Sequence, residues 1–280
     1  MKYDLVDRHC IVTGASSGIG KEIARNLAYF GATVVLACRS RERGSAALQE
    51  IAEDSGNDRL TLLQLDTSSP ESITGFVRNV TAGGKPVHVL VNNAGTFSHT
   101  RQTVAGDLEL TWATNALGYF ALANKLAPTL QRHAPSRVVN VASKLAGGLD
   151  LNDLNFESRR YSGTKAYKQS KQANRMLSWG LQARIGNEVG VTACHPGGVN
   201  TRIYDNLQGV GGAVMKVARS FLKTPADGAK TPTRLAADPE LGDLRSAFWI
   251  DEAEATCKFR DTAAIDALWE QCVEMTHTNV

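Results

Sequence analysis

With 280 residues, 42% of them hydrophobic and 21% charged, the chain can build one large α/β domain or two small ones around an ample core. A formal net charge of +3 with no long basic run argues against a nucleic-acid partner, and five scattered cysteines and six histidines show neither a disulfide framework nor metal-ligand spacing. The charged opening residues are unlike a signal peptide, and no apolar run approaches the ~20 residues of a transmembrane span, so a soluble, cytoplasmic protein in a reducing compartment is expected, without a metal.

Residues 9–13 read as a short apolar strand. It runs into Gly14-Ala15-Ser16-Ser17-Gly18-Ile19-Gly20, followed by a helical pattern at Ile23, Leu27 and Phe30. Strand, glycine turn and helix together aim free backbone N–H groups at a pyrophosphate on a helix N-terminus. The spacing is G-x-x-x-G-x-G rather than the commoner G-x-G-x-x-G. The competing reading is a turn that merely packs helix on strand. Residues 33–38 form the second strand, which ends at Arg39, nineteen residues beyond Gly20. A carboxylate there would hold a ribose 2′-hydroxyl, whereas an arginine attracts a 2′-phosphate, with Arg43 one helical turn on in support. That substitution argues for NADP(H); the alternative is a surface arginine opening the helix over 41–52.

A third strand over 60–65 ends at Asp66-Thr67, where Asp66 either accepts from an adenine amino group or caps the helix after Pro70. A fourth, over 87–91, ends in Asn92-Asn93-Ala94-Gly95, small enough for close approach to a ligand, with amides able to tie strand ends together. Helix signals run from 107 to 131 with Asn115 in the middle, a residue that inside a helix more often faces solvent. The fifth strand, 137–142, ends at Ser143. These polar residues therefore gather at the carboxyl ends of alternating strands, the edge where an open parallel sheet binds ligands.

Residues 166–181 read as uninterrupted helix with Ala173, Met176 and Leu177 as its apolar stripe, and they place Tyr167 and Lys171 one turn apart on one face. A phenol of pKa ~10 is a poor proton donor at neutral pH, and a neighbouring ammonium favours its phenolate. Tyr161 and Lys165 have the same spacing, but Ser162 and Gly163 weaken a helix through them. Tyr167 is therefore the expected proton donor.

The set Thr13-Gly14-Ala15-Ser16-Ser17-Gly18-Ile19-Gly20, Asn92-Asn93-Ala94-Gly95, Asn115, Ser143, Tyr167-x-x-x-Lys171 and His195-Pro196-Gly197 resembles the successive motifs of the short-chain dehydrogenase/reductase family. Ala37-Cys38-Arg39, Asp153-Leu154-Asn155-Phe156, Ala173-Asn174 and Lys223-Thr224-Pro225 resemble its retinol-dehydrogenase-like branch. The resemblance implies one Rossmann-type, doubly wound α/β domain over residues 1–280, a seven-stranded parallel sheet with helices on both faces, and NADP(H) chemistry on lipophilic aldehydes, ketones or alcohols. It also implies roles. Ser143 binds the substrate oxygen, Tyr167 passes it a proton, and Lys171 tunes Tyr167 and holds the nicotinamide ribose. Asn115 anchors a water linking Lys171 to solvent. Pro196, Gly197, Val199 and Thr201 cradle the carboxamide after a sixth strand at 191–193. Lys144, directly after Ser143, would suit an acidic substrate if it faces the pocket. Many members of the branch carry an N-terminal membrane anchor, whereas here the first strand begins almost at once.

Residues 202–223 carry an apolar stripe (Val210, Val214, Val217, Ala218, Phe221, Leu222) opposite Lys216, Arg219 and Lys223, downstream of Gly209, Gly211 and Gly212. The segment reads as a substrate lid hinged at those glycines, ahead of a helix fixed on the core or a peripheral membrane contact over 210–223. A helix over 225–237, a last strand over 247–250 and an amphipathic helix over 261–275 close the chain. A homodimer is allowed. The rival functions are an NADPH-dependent C=C reductase of protochlorophyllide-reductase type and a non-catalytic dinucleotide sensor; the Ser143, Tyr167 and Lys171 set disfavours the sensor, which needs no proton relay.

Overall fold

The computed structural model describes residues 3–199 and 223–278. Short apolar runs alternate with amphipathic ones, and the runs form eight strands: β1 (His9–Thr13), β2 (Thr33–Cys38), β3 (Leu60–Gln64), β4 (Val89–Asn92), β5 (Ser136–Val141), β6 (Val189–His195), β7 (Ala247–Ile250) and β8 (Ala253–Ala255). They pair in the order β3-β2-β1-β4-β5-β6-β7-β8. The first seven are mutually parallel, as the sequence implies, and β8 adds an antiparallel edge through a tight return after Ile250. Eight strands rather than seven is the correction here. Three residues, Ala253-Glu254-Ala255, carry too little pattern to read as a strand.

The helices are α1 (Gly18–Tyr29), α2 (Arg41–Ser55), α3 (Pro70–Val80), α4 (Gly118–Arg132), α5 (Gly163–Ile185), α6 (Pro225–Ala237) and α7 (Thr262–Thr276). A parallel strand covered on both faces must be apolar on both. In β1, Ile11 faces a core with Phe76, Leu90, Leu126 and Trp269, while Cys10 and Val12 face another with Leu27, Leu36, Ile51 and Leu235. All six core side chains of this second set are essentially sealed from water, so truncating one such Leu to Ala would cost about 2–5 kcal/mol. Helix α2 starts at Ser40, whose side chain accepts from the Arg43 amide, and α3 at Ser69, which accepts from Ser72. Ser69, not Asp66, is therefore the cap of α3.

Two helical expectations need amending. The stretch read as one helix from 107 is broken: a short α-turn (Leu110–Trp112) passes into a π-helical turn (Ala113–Leu117) before α4. And α5 begins at Gly163, three residues before Ala166, because the Ser162 side chain accepts from the Lys165 amide and offsets the weak helix propensity of glycine.

The strand order reverses between β1, which pairs with β2 on one side, and β4, which pairs with β5 on the other. Connections leave in opposite directions at that point, opening a crevice beyond the carboxyl ends of the two strands. Val12 lies beside Val91 in register, so the glycine loop after β1 and the Asn93-Ala94-Gly95 loop after β4 start side by side.

Candidate active site

Thr13 ties the two loops together. Its buried hydroxyl accepts from the amides of Asn93 and Ala94 at 2.9 and 3.0 Å, and the Asn93 side chain returns a bond to the Thr13 carbonyl at 2.9 Å. Gly14 and Gly18 sit at φ +67° and +58°, a backbone region that favours glycine. A Cβ on Gly14 would lie 2.9 Å from the Ala94 Cα, and one on Gly20 would lie 2.3 Å from the Asn93 side-chain nitrogen. The loop is therefore packed against its neighbour by its glycines and presents backbone N–H groups at the start of α1. Further along, Asn92 bonds Asn140 at 2.9 Å and Asn140 bonds Ser178 at 2.8 Å, locking β4, β5 and α5 together.

One cleft of about 1270 Å³ runs along this edge. Gly14, Ser16, Ser17, Gly18, Ile19 and Gly20 line it beside Arg39, Arg43, Asp66 and Thr67 at one end. Asn93, Ala94 and Gly95 form the middle, and Ser143, Tyr167, Lys171, Pro196, Gly197 and Val199 the other end. Arg39 and Arg43 are exposed, and neither is in an ion pair among the described residues. Asp66 is held by the Ser68 amide and hydroxyl at 2.9 and 2.7 Å.

At the far end, the Lys171 ammonium is 4% exposed and donates to the Val141 carbonyl at 2.8 Å. It lies 5.8 Å from the centroid of the Tyr167 ring. Burial pulls its pKa down from 10.5 to about 8, so the group is still charged at neutral pH. The Ser143 hydroxyl oxygen accepts from the Leu145 amide at 3.1 Å, which fills an acceptor site and leaves the hydroxyl proton to be donated elsewhere. Phe97 flanks the Tyr167 ring at 6.1 Å between centroids.

Asn115 is sealed from solvent, contrary to the usual behaviour of a mid-helix asparagine. The π-helical turn swings it inward, where its amide accepts from the Thr96 N–H at 2.8 Å and donates to the Thr96 carbonyl and the Ser170 hydroxyl at 3.0 and 3.2 Å. Ser170 in turn donates to the Tyr167 carbonyl at 2.8 Å. A Cβ placed on Gly95 would be 3.5 Å from the Asn115 oxygen and 4.0 Å from the Lys171 nitrogen, so the three groups share one small space.

A sequence model described as short chain dehydrogenase matches residues 8–209. The chain belongs to the short-chain dehydrogenase/reductase family. It is therefore an oxidoreductase fold that works with a nicotinamide dinucleotide. Human retinol dehydrogenase 13 is 34% identical over 98% of this chain and 86% of its own length. Mouse polyprenol dehydrogenase is 36% identical over 96% and 84% respectively, and these relatives place the chain in the retinol-dehydrogenase-like branch. Among solved structures, an uncharacterised protein from Mycobacterium paratuberculosis superposes with a TM-score of 0.78 at 30% identity, covering 99% of this chain and 96% of that one. L-sorbose reductase from Gluconobacter frateurii, solved with NADPH and L-sorbose, shares the fold at a TM-score of 0.71, covering 89% of this chain and 96% of its own, with 22% identity.

Within this short-chain dehydrogenase/reductase, the geometry separates the two tyrosine–lysine pairs. The Tyr161 hydroxyl lies within bonding distance of the Ser98 carbonyl at 3.2 Å and the Glu109 carboxylate at 2.9 Å, and burial with the nearby Glu109 charge pushes its pKa up. It braces a loop and is not a proton donor to the cleft. Thr201 and nearly all of the 202–223 segment, including the glycines at 209, 211 and 212, lie outside the described residues; of that segment only Lys223 is described, paired with Asp251 at 2.5 Å. Among the described residues no helix is long and apolar enough to cross a membrane, and no cluster of three or more His, Cys, Asp or Glu is placed to hold a metal. All five cysteines are free.

Thr13, Thr96 and Ser170 serve as positioning groups and Lys168 as part of the lining, roles that the sequence pattern alone does not assign. Ser170 had a usable signal, since it lies within the Tyr167 to Lys171 stretch itself. Thr13 heads the glycine motif, whereas Thr96 had no such signal, because its partner Asn115 lies 19 residues away. Lys144, flagged because it follows Ser143, does line the cleft.

Proposed function

We propose that this protein is an NADP(H)-dependent oxidoreductase acting on a carbonyl/alcohol pair of a lipophilic small molecule, with carbonyl reduction as its working direction. The observation that supports it best is that Ser143, Tyr167 and Lys171 line one end of a cleft whose other end carries Arg39 and Arg43, exposed and without an ion pair among the described residues. The site suits the dinucleotide: a loop made passable by Gly14, Gly18 and Gly20 offers backbone N–H groups to a pyrophosphate, and Arg39 and Arg43 offer guanidinium forks to a 2′-phosphate. When bound, the cofactor supplies or accepts the hydride at the carbonyl carbon.

The rest belongs to the chain. Ser143 donates its hydroxyl proton as a hydrogen bond to the substrate oxygen. Tyr167 transfers its phenolic proton to that oxygen as negative charge develops there. Lys171, charged and nearly dry, stabilises the phenolate left behind, because an ammonium is worth more where water does not screen it. Asn115 holds the Thr96 backbone and Ser170, which fixes the turn of α5 that carries Tyr167. The buried Lys171 also disfavours a non-catalytic sensor, since an uncompensated buried charge is retained at the expense of stability.

Phe97 and Leu145 supply apolar surface at the substrate end, while Lys144 and Lys168 line it without any ion pair among the described residues. A lipophilic substrate carrying an acidic group would meet both features. NADPH oxidation measured against retinoid, steroid, quinone and aliphatic carbonyls, with and without a carboxylate, tests this reading. Turnover of C10 or longer carbonyls that exceeds turnover of sugars, and that vanishes in Tyr167→Phe while NADPH binding persists, is the expected result. Equal rates on sugars, or full activity of Tyr167→Phe, would contradict it.

A further inference from the structure

Arg175 is a buried cation that the reaction described above does not use, yet it touches Ser143. It lies one turn beyond Lys171 on α5 and is 6% exposed. Its Nη2 donates to the Ser143 backbone carbonyl. The flat guanidinium lies 3.8 Å from the centroid of the Phe248 ring and 5.4 Å from that of Phe259, with Nη1 3.9 Å from the Cys257 sulfur. Its Nε has no hydrogen-bond partner, and no carboxylate pairs with it among the described residues. A buried guanidinium without a carboxylate is expensive, and an apolar side chain of similar volume would pack there at lower cost. What the cation adds is its hold on Ser143.

The neighbouring contacts show what that hold accomplishes. Lys171 grips the Val141 carbonyl at 2.8 Å, and the Ala142 amide is still on the sheet ladder, donating to Cys194 at 2.8 Å. Ser143 is the second residue past the end of β5, beyond the last ladder bond at Ala142, so the ladder no longer fixes its carbonyl. Two cations from successive turns of α5 thus pin alternate carbonyls across the strand end. The second pin sets the backbone from which the Ser143 hydroxyl projects. The stack between Phe248 and Phe259 keeps the guanidinium plane fixed, which an ammonium on a flexible stem would not do as well.

We infer that Arg175 is a positioning residue for Ser143: stacked on Phe248, it anchors the Ser143 carbonyl so that the hydroxyl meets the substrate oxygen. The inference rests on the proposed role of Ser143, and the test separates the two. NADPH oxidation is followed with a turned-over carbonyl for wild type, Ser143→Ala, Arg175→Met, Arg175→Lys and the Ser143→Ala/Arg175→Met double variant. NADPH affinity is measured by fluorescence, and amide exchange over residues 141–147 by mass spectrometry.

Misplacing a hydrogen-bond donor near reacting atoms should lower kcat about tenfold or more in Arg175→Met, with KM for NADPH within about twofold. Arg175→Lys keeps charge and donor and recovers part of the loss. The double variant is no slower than Ser143→Ala, because the arginine acts only through that hydroxyl. Exchange over 141–147 speeds up in Arg175→Met. Losses that multiply in the double variant, or an Arg175→Met enzyme with wild-type kcat and unchanged exchange, overturn the inference. Full activity of Ser143→Ala overturns the reading of Ser143 itself and the inference with it, while the exchange data still report whether Arg175 pins the strand end. If Arg175→Met does not fold, Phe259→Leu loosens one side of the stack; it should cost a smaller part of kcat that also disappears on Ser143→Ala, and full activity with unchanged exchange would again overturn the inference.

Discussion

Replacing Lys171 with methionine should abolish turnover and yet stabilise the ligand-free protein at neutral pH. The lysine is 4% exposed, and burial lowers its pKa from 10.5 to about 8. At about 1.4 kcal/mol per pH unit, that difference corresponds to roughly 3 kcal/mol spent keeping the ammonium inside at pH 7. Methionine has a similar volume and no charge, so the cost disappears. Its loss of the 2.8 Å bond leaves the Val141 carbonyl short of a donor, at about 1 kcal/mol. The net gain is then about 2 kcal/mol. The sign of the pH dependence follows from the depressed folded-state pKa. Below about pH 8 both folded and unfolded lysine are protonated and the cost is fully present. Between about 8 and 10.5 the unfolded chain holds more protons, so wild-type stability from this group rises with pH and the advantage of Lys171→Met shrinks. Urea unfolding of both proteins without cofactor, at pH 7 and pH 9.5, measures this. A variant less stable than wild type at pH 7, or a difference that does not narrow by pH 9.5, refutes the reasoning.

Tyr161→Phe should keep turnover while losing stability of about 1–3 kcal/mol, because the buried Glu109 carboxylate loses a donor; a dead but stable variant would reverse the assignment of the two tyrosines. Arg39→Asp should shift preference from NADPH toward NADH by repelling the 2′-phosphate, and an unchanged ratio of kcat/KM for the two cofactors would remove that role. Burial, with Arg8 near His88 and Lys144 near His195, lowers both histidines from 6.5 to about 4. The unfolded chain therefore takes up protons first as pH falls, and stability should drop between about pH 6.5 and 4. His195→Gln should flatten part of that slope in urea midpoints, and a wild-type midpoint that rises toward pH 4.5 would contradict the sign.

Much of this was legible because the chemistry sits at strand ends, where local pattern and topology coincide. Apolar runs of four to seven residues announced the parallel strands, and residues just after them, Gly14, Arg39, Asn93 and Ser143, fell at the cleft by the geometry of the sheet. What stayed hidden depends on long-range partners. Asn115 reads as an ordinary helix-surface amide until the π-helical turn buries it against Thr96 and Ser170. Arg175 reads as a solvated charge on α5 until β7 brings Phe248 beneath it. Its position one turn after Lys171, on a stretch otherwise buried, was the available hint. β8 escaped because three residues, two of them small, gain their strand geometry only by returning along β7.

The central claim is that the Tyr167 phenol, beside the buried Lys171, completes a hydride transfer in this cleft. Incubating the enzyme with NADPH deuterated at the transferring carbon and a long-chain aldehyde, then analysing the alcohol by mass spectrometry, tests it most directly. Wild type should yield an alcohol with one deuterium on the former carbonyl carbon, and Tyr167→Phe should yield essentially none while still binding NADPH. Unlabelled alcohol from the wild type, or equal labelling by Tyr167→Phe, would contradict the account.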